Sequence, residues 1–434
     1  MLFPFLIISP AQALDEPCYG FGSANRVSGE HFWVEWEDEV ATEDIALDRL
    51  EYAEAAREFF VNQGWRITDE PVLISIIDSS SSYGLTQTQS CDDTPVPFIV
   101  LASVMEDGGY EVPGLGTTTH EVAHVVQFAY MGDHRDSLAS WTWFMEAAAT
   151  AMAFEVDEDA ERWAVKCQGF LDEPQLALHQ DLTAMVFEDR KRHLYGTGVF
   201  VRFMQLNYGG AETQQQLWEY GEQHSGELIW FPDAVEAVGL DFPGLWLHYM
   251  VASTVLDISD SETLVAPRAH VQDSIPGTLD IEAELGPQGL GLGYTRFPVE
   301  LGEPGRALQV HFDGDSSVEW QVVLVRTDGH ESGGTVLDYT ALQVEGGSGS
   351  GWISGYDGTA TGFLVASPLS DSREGLGYST TIELIRDDGP MPDRVVWVDQ
   401  PAVGGCGCSA GLPPQALWSG LLLALVAVRR SRRA

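Results

Sequence analysis

The sequence predicts an α+β domain followed by an all-β sandwich domain, and three observations predict this architecture. Strand-like and helix-like segments alternate before residue 105, and residues 117–256 keep a mostly helical pattern. After Pro267, short segments rich in Val, Leu and Tyr alternate with Gly, Asp and Ser turns, which is typical of a β-sandwich. A chain of 434 residues is long enough for two cores. We therefore predict the α+β domain over residues 14–262 and the sandwich over 263–386.

The first segments each have a recognisable period. His31–Trp36 is predicted to be a strand, and Asp38–Asn62 has the Ala, Glu and Leu spacing of a helix that ends at Gly64. Pro71–Ile77 and Pro97–Val104 are predicted as buried strands with a Ser-rich loop between them. Turn residues then divide the helical region into several helices, at Gly132, Pro174, the Gly209–Gly210 pair and Pro232.

The clearest strand candidates of the sandwich are Ala307–Phe312, Glu319–Arg326 and Gly362–Ala366. The sandwich pattern ends near Arg386. Residues 387–404 are rich in Pro, Gly and Asp, and this composition indicates a linker to the C-terminal segment.

The chain is strongly acidic. Its 22 Lys and Arg residues face 66 Asp and Glu residues, the formal net charge is -44, and Lys166 and Lys191 are its two lysines. A surface of this sign repels phosphate backbones, which argues against nucleic-acid binding. An acidic surface keeps the protein solvated, and it would also attract cationic partners or loosely bound divalent cations such as Ca²⁺. The sequence has no motif for Ca²⁺ binding. We expect a monomer.

Both ends of the sequence have features of exported proteins. Residues 1–13 form a short apolar run that closes in Ala11-Gln12-Ala13, the small-x-small pattern of a signal-peptide cleavage site. The run lacks a basic start, and a buried first strand is the alternative interpretation. Outside the C-terminal tail three cysteines remain, Cys18, Cys91 and Cys167. We expect a Cys18–Cys91 disulfide, because disulfides persist in exported proteins.

The last segment, residues 405–434, combines Cys406 and Cys408 in a Gly-rich motif, an apolar stretch from Ala416 to Val428, and a basic tail of four arginines. The apolar stretch has to extend back toward Leu412 to approach the about 20 residues of a membrane span, and the basic tail would stay cytoplasmic. Together the three parts resemble the myxobacterial C-terminal sorting signal (MYXO-CTERM). The resemblance implies membrane insertion, cleavage near the two cysteines by a sorting protease, and display at the cell surface or release. An ordinary membrane anchor is the alternative.

The motif His120-Glu121-Val122-Ala123-His124 lies near the start of the helical region. Helix positions i and i+4 share one face, so both imidazoles point at one metal ion. Glu121 is rotated by about 100° and reaches the open coordination position instead. Zinc would lower the pKa of a bound water, and Glu121 would take the proton as the water attacks a carbonyl. Two ordinary histidines are the alternative, but buried polar groups without partners are costly.

A third ligand has to come from another segment. A metzincin requires Gly at position 127 and His at position 130, but the chain has Gln127 and Tyr130, which excludes that class. Glu146 stands in a Trp-x-x-Glu-Ala pattern, and the 21 residues between it and His124 are enough chain for a turn and an antiparallel return helix. Together with His120 and His124, Glu146 would complete a His₂Glu zinc site with water in the fourth position. The alternative third ligands are Asp133 and His134.

The pattern His-Glu-x-x-His-x-x-Gln-Phe followed by Trp-x-x-Glu-Ala resembles the gluzincins, especially the immune-inhibitor and hyicolysin-like surface peptidases and the metalloproteases of myxobacteria. The resemblance covers roughly Thr117–Glu155. It implies a zincin-like catalytic domain in a secreted zinc metalloendopeptidase with a polypeptide substrate. In that enzyme His120, His124 and Glu146 bind Zn²⁺, and Glu121 is the general base.

The resemblance also assigns residues around the metal. Some gluzincins keep an acidic residue at the position of Thr150, and the candidates for that supporting role are Glu155 and Gln127. Tyr195 matches a family segment whose Tyr or His steadies the oxyanion of the tetrahedral intermediate. His193 is the reserve, and a packing role for the tyrosine is the alternative. The edge strand that gluzincins place above the metal is expected at Phe98–Ser103, with a flexible lip at Gly108–Gly116; a core strand and a surface loop are the alternatives.

Two other functions compete with peptidase activity. A surface adhesin or glycan-binding protein would use the sandwich and carry a degenerate peptidase domain. The intact His120, Glu121, His124 and Glu146 argue against degeneracy, because an inactive enzyme does not need its base. Another zinc hydrolase, acting on esters or peptidoglycan amides, is the third interpretation.

Overall fold

A computed structural model describes most of the chain. The described residues are 20, 22–78, 84–91, 94–103, 106–107, 110–111, 114–131, 141–157, 160–174, 176–178, 187–224, 227, 229–256, 279–284, 292–300, 306–328, 334–354, 361–370 and 376–386. The predicted signal peptide, linker and sorting signal lie outside them. None of the helices in these ranges is long and apolar enough to cross a membrane. The chain is a mixed α and β protein with several sheets.

The first part of the chain forms a five-stranded sheet with the order β1-β2-β3-β5-β4. Its strands are β1 (Asn25–Ser28), β2 (Phe32–Trp36), β3 (Val72–Ile77), β4 (Gly84–Cys91) and β5 (Thr94–Ala102). The three inner strands run parallel, whereas β1 and β4 pair antiparallel with their neighbours. One edge of the sheet is therefore an antiparallel strand, β4. Two short strands follow, β6 (Glu106–Asp107) and β7 (Tyr110–Glu111), which pair antiparallel with each other.

The helix α1 (Glu43–Asn62) connects β2 to β3 and confirms the helix predicted there. The Thr42 hydroxyl accepts a hydrogen bond from a backbone N–H of the first turn and caps the helix. At the other end, Gly64 has a φ of 85°, which allows the Trp65 N–H to donate to the Phe60 carbonyl at 3.0 Å. A left-handed glycine is a common helix terminator because it lacks a Cβ.

The strand β4 was missed by the sequence prediction, which has one Ser-rich loop between two buried strands. Residues 79–83 lie outside the described ranges, but Gly84 to Cys91 pair with β5 along their whole length. The predicted strand Pro97–Val104 corresponds to the second half of β5. Thr, Gln and Ser dominate β4, so it lacks the apolar pattern that marks a strand. An edge strand tolerates this composition because part of it faces solvent.

Eight further helices follow within the described ranges: α2 (Gly114–Met131), α3 (Thr142–Val156), α4 (Ala160–Leu171), α5 (Phe187–Gly196), α6 (Gly198–Asn207), α7 (Gly210–Gln223), α8 (Phe231–Ala237) and α9 (Phe242–Ser253). The helix α2 packs against α1 and α3 and contacts both β4 and β5. It is buried over nearly its whole length. The polar side chains of α2 consequently lie inside the protein, between the sheet and the helices.

Two antiparallel sheets form the last part of the described chain, with the orders β13-β14-β10-β16-β8 and β12-β11-β15-β9. Their strands are β8 (Leu279–Glu284), β9 (Thr295–Glu300), β10 (Arg306–Gly314), β11 (Glu319–Thr327), β12 (Val336–Ala341), β13 (Gln343–Glu345), β14 (Ser348–Ile353), β15 (Thr361–Leu369) and β16 (Gly377–Arg386). Side chains of both sheets share one apolar cluster, which includes Leu308, Phe312, Val322 and Leu324.

The sheet that contains β11 and β15 is buried on both faces. Alternate residues of β11 enter the cluster between the two sheets, while Val323 and Val325 join the core of the helical region. Trp246 of α9 donates a hydrogen bond from Nε1 to Ser367 Oγ at 2.9 Å across this contact. Burial on both faces explains why β11 and β15 are continuous apolar runs. The predicted boundary between residues 262 and 263 lies outside the described ranges and stays a prediction.

The cysteines agree with the predicted disulfide as far as they are described. Cys91, at the end of β4, is disulfide-bonded. Cys167 is a buried free thiol on α4, and burial raises the pKa of that thiol. Cys18 lies outside the described residues, so the Cys18–Cys91 pairing stays a prediction.

Candidate metal centre

The helix α2 presents His120 and His124 on one face, one turn apart, as their spacing predicts. Their ring centroids are 4.7 Å apart, and the ring planes are nearly perpendicular. Both side chains are buried, and the Val and Ala residues between and beside them are fully buried. The backbone of a long buried helix therefore fixes two imidazoles inside the protein.

Glu146 on α3 meets the two histidines. One of its carboxylate oxygens, Oε2, lies 3.2 Å from His120 Nε2 and 3.7 Å from His124 Nε2. Potential ligand atoms of the three residues all lie within 4.8 Å of one another. This is the only such group of three or more His, Cys, Asp and Glu residues in the described part of the chain. The structure thus brings together the three residues that the sequence nominated.

Gln127 fixes the tautomer of His124. The Gln127 amide donates from Nε2 to the Met145 carbonyl at 2.9 Å, which leaves its Oε1 at 2.8 Å from His124 Nδ1. Because this amide oxygen accepts hydrogen bonds, the Nδ1 atom carries a proton. The Nε2 atom is then the nitrogen available to a metal ion. Hydrogen bonds of this kind orient the histidine ligands of metalloproteins.

His120 has a corresponding neighbour in Thr150, whose Oγ1 lies 3.5 Å from His120 Nδ1. Glu155, the other candidate for a supporting role, contacts residues of different elements. The Glu155 carboxylate accepts hydrogen bonds from Arg202 at 2.7 Å and from Gln63 at 3.1 Å. Of the two candidates for a supporting residue, Gln127 contacts a proposed ligand, His124.

The electrostatics of the three residues suit a cation. Burial opposes charge on His124, but Glu146 and Glu121 outweigh it and raise the His124 pKa to about 9. Burial alone would raise the Glu146 pKa, yet the two histidines hold it well below its usual range. Burial lowers the His120 pKa to about 4. A half-buried carboxylate facing two buried imidazole Nε2 atoms fits a divalent cation, which would replace the proton on His124.

Glu121 contacts the edge strand β4. The Thr86 hydroxyl lies 2.5 Å from Glu121 Oε2 and 3.0 Å from the Glu121 backbone carbonyl. Gly84 lies against the same carboxylate, so closely that a Cβ at this position would clash with it. Burial raises the Glu121 pKa to about 7, although His124 and the Thr86 hydrogen bond oppose that shift. A carboxyl group with a pKa near neutrality can both accept and release a proton at physiological pH.

The strand beside Glu121 corrects the expected position of the edge strand. Phe98–Ser103 was the expected edge, but Phe98 to Ala102 lie in β5, which is paired on both sides. The edge strand at the site is β4, which supplies Thr86 and Gly84. The sequence could not identify these two residues, because the strand that places them was not predicted. Of the expected lip, Gly108–Gly116, Tyr110–Glu111 form the short strand β7 and Gly114–Gly116 begin α2, whereas residues 108–109 and 112–113 lie outside the described ranges.

Tyr195 lies beside the first histidine. Its ring centroid is 5.6 Å from that of His120, and the two rings meet edge to face. The Nζ of Lys166, on α4, lies 5.3 Å from the centroid of the Tyr195 ring. His193, the reserve candidate, is instead a buried residue whose Nε2 donates to the Ala177 carbonyl at 2.8 Å. Burial lowers its pKa to about 4. The alternative third ligands Asp133 and His134 lie outside the described residues.

Comparisons with known proteins do not identify a family. No family model matches the chain, and no curated protein matches it. Among solved structures, the mitogen derived from Yersinia pseudotuberculosis has a TM-score of 0.20 and 15% identity, over 27% of this chain and 92% of the mitogen. Tripeptidyl peptidase 2 has a TM-score of 0.19 and 11% identity, over 27% of this chain and 11% of the peptidase. Likenesses of this size carry no argument about fold or function.

Proposed function

We propose that the protein is a zinc metallopeptidase in which His120, His124 and Glu146 bind the ion. The observation that carries this proposal is the convergence of Glu146 on the Nε2 atoms of both histidines. The hydrogen bond to Gln127 supports it, because it keeps the proton of neutral His124 on Nδ1 and leaves Nε2 free to bind a metal. Two imidazoles and one carboxylate are the protein ligands of a catalytic zinc site that keeps a fourth position open.

A zinc ion bound by these ligands supplies Lewis-acid chemistry, which acidifies water and polarises a carbonyl group. Glu121 accepts the proton of the attacking water on its carboxylate and passes it to the leaving amine. A pKa raised to about 7 suits both transfers. Thr86 holds Glu121 Oε2, which limits the base to one orientation. Tyr195 is the candidate donor to the developing oxyanion, because its ring is next to His120.

The proposal extends to the class and the location of the enzyme. The His₂Glu set, with its glutamate on the helix after α2, supports a gluzincin with a zincin-like domain. The antiparallel edge strand beside the base agrees with that class. The disulfide at Cys91 supports export, because disulfides persist in oxidising compartments. We propose that the substrate is a polypeptide and that the C-terminal segment sorts the protein to the cell surface.

Metal analysis combined with a casein-type cleavage assay tests the proposal. The full-length protein should contain about one zinc per chain and cleave casein. Glu121→Gln should keep the zinc and lose the cleavage, whereas Glu146→Gln should lose the zinc. Zinc bound with no Glu121-dependent cleavage of any peptide would contradict the proposed activity.

A further inference from the structure

A cavity of about 530 Å³ is lined by residues of α1, of the segment that follows it, of the start of β5 and of the end of α2. Small-molecule sites commonly have volumes of about 300 to 1,000 Å³. None of the described lining residues is a proposed metal ligand or the proposed base. The cavity is therefore a second candidate site, which the proposed peptidase function does not use.

Much of the cavity wall is apolar. Trp65 and Phe128 are buried aromatic residues, and Ile67 and Pro95 are partly buried. Val61, which also lines the cavity, is 43% exposed, so the apolar surface continues to solvent. A ligand that covers these side chains with an apolar body would gain free energy, because apolar surface of both partners leaves water.

Arg57 of α1 brings a positive charge to this apolar wall. Its side chain is only 13% exposed, and it makes no hydrogen bond to the residues that the structure describes. Its Nη2 lies 3.7 Å from Oδ1 of Asp69, which is longer than a hydrogen bond, and the Asp69 side chain is fully exposed. A guanidinium has five N–H donors, and burying donors without acceptors costs free energy. An acceptor inside the cavity would remove that cost.

The other carboxylates near Arg57 are bound elsewhere or exposed. Glu54, on the preceding turn of α1, accepts hydrogen bonds from the backbone N–H groups of His31 and Phe32 and contacts the His31 ring. The Glu30 side chain is 83% exposed. Burial has the largest effect on the Arg57 pKa and lowers it, whereas the carboxylates around it raise it. Nearby charge therefore supports the guanidinium without satisfying its donors.

Arg66, the second arginine of the cavity wall, differs from Arg57 because its guanidinium already has partners. Its Nη2 donates to Glu222 Oε2 at 2.6 Å. Its Cζ lies 4.0 Å from the centroid of the Tyr130 ring, which is a cation–π contact. The donors that the cavity offers to a ligand are consequently those of Arg57.

We propose that this cavity binds an amphipathic carboxylate, with the carboxylate on Arg57 and the apolar body against Trp65 and Phe128. A guanidinium matches a carboxylate because two parallel N–H groups meet its two oxygens. The Thr68 hydroxyl adds a donor, since it accepts from the Glu70 N–H at 3.0 Å and keeps its own proton to donate. A free aromatic or aliphatic acid and a peptide C-terminus with an apolar last residue share this chemistry.

Ligand-observed NMR titrations with 3-phenylpropionate test the inference on the purified protein. About 0.15 M salt screens the net negative charge of the chain, which otherwise repels anions. The acid should bind with a Kd of about 1 mM or below. Its neutral amide, which lacks the charge, and acetate, which lacks the apolar body, should each bind about tenfold more weakly or worse. Equal binding of the acid and the amide would overturn the inference.

A peptide pair distinguishes the two sources of the carboxylate. Acetyl-Gly-Phe is titrated with a free and with an amidated C-terminus. If the cavity receives peptide C-termini, the free peptide should bind more tightly than both its amide and 3-phenylpropionate. If it receives free acids, 3-phenylpropionate should bind more tightly than the free peptide.

Substitutions assign the binding to the cavity. Arg57→Met keeps the apolar stem and should weaken binding of the acid about tenfold or more, while its effect on the amide should be small. Asp69→Asn should strengthen binding of the acid severalfold, because it removes the carboxylate closest to the guanidinium. Arg192→Met is the matched control, because it removes an exposed arginine of α5, and it should leave the affinity unchanged.

Binding to the candidate metal centre would give the opposite pattern. The acid would then lose affinity in Glu146→Gln and keep it in Arg57→Met, and this result would overturn the inference. Equal affinity in the wild type and in a folded Arg57→Met protein would do the same. If Arg57→Met does not fold, Asp69→Asn and Thr68→Val decide the question, and unchanged affinity in both contradicts the assignment. These outcomes are independent of zinc content and of peptide cleavage.

Discussion

Single hydrogen bonds decide what the candidate metal centre can do. In the sequence, Gln127 is one of the two residues that depart from the metzincin pattern. In the structure, its side-chain amide determines which nitrogen of His124 carries the proton. Thr86 contacts the carboxylate of Glu121 from a different element. Gln127 therefore orients His124 from the same helix, whereas Thr86 reaches Glu121 from the edge of the sheet.

Thr86→Val should lower kcat about tenfold to a hundredfold, because loss of the hydroxyl frees the Glu121 carboxylate to leave its orientation. KM and the zinc content should stay near the wild-type values, since Thr86 contacts none of the three proposed ligands in the described structure. Steady-state kinetics and metal analysis measure both. Thr86→Ser retains the hydroxyl and should recover most of kcat, and a serine variant as slow as the valine variant would contradict the role.

His193 should make stability depend on pH. Burial lowers its folded pKa to about 4, below the usual 6.5, so between these values the unfolded chain binds a proton that the folded protein does not. Stability is then lost as the pH falls from 6.5 toward 4. His193→Gln should reduce the loss between pH 7 and pH 5 by about 2 kcal/mol, as measured by urea unfolding. His311→Gln, on the exposed side of β10, is the control and should leave the loss unchanged.

At the scale of elements, β4 connects the sheet to the proposed base. It pairs with β5 along eight residues and places Gly84 and Thr86 against Glu121. Because alternate residues of a strand face one side, residues 84 and 86 reach the site together. The intervening Leu85 is 48% exposed. One strand thus positions the carboxylate at two points.

Gly84→Ala should lower kcat by about tenfold or more, because the new methyl group would displace the Glu121 carboxylate. The zinc content should not change. Gly377→Ala is the matched control, since a Cβ on this strand glycine of β16 has no neighbour within 4 Å. Equal kinetics for Gly84→Ala and the wild type would show that Glu121 does not need the position that it has in the structure.

At the scale of the whole molecule, the helical region and the second half of the chain share a core. Val325 and Phe363 pack in the same apolar cluster as Trp246 and Tyr249 of α9. The hydrogen bond from Trp246 to Ser367 and that from Gln321 to the Pro243 carbonyl, at 2.6 Å, cross the same contact. The sheet of β11 and β15 therefore packs against α9.

Phe363→Ala should destabilise both regions together, by about 3 to 5 kcal/mol, because it removes a fully buried ring from the shared core. Hydrogen exchange measures this on both sides of the contact, and amides of α9 and of β15 should lose protection by similar amounts. Leu337→Ala, at an exposed position of β12, should change stability by less than about 0.5 kcal/mol. Loss of protection in β15 alone would indicate two independent folding units.

The sequence by itself determined the features that depend on local spacing. The separation of His120 and His124 places them on one helix face, the helix of residues 43–62 follows its pattern, and the continuous apolar runs mark β11 and β15. These features could be predicted because each is set within one or two turns or within a single strand. The prediction that Glu146 meets the histidines also required a second, returning helix. In the structure Glu146 lies beside both histidines.

The tertiary structure decided which residues meet across elements. No pattern marked β4, and its partner β5 alone makes it a strand, so Thr86 and Gly84 became visible only as neighbours of Glu121. The same holds for Lys166, which packs beside Tyr195 because α4 and α5 lie together. His193 was the reserve oxyanion donor and Glu155 a candidate supporting residue, but His193 contacts the Ala177 carbonyl and Glu155 contacts Arg202. Spacing fixes neighbours along a helix, whereas contacts between distant segments depend on how the whole core packs.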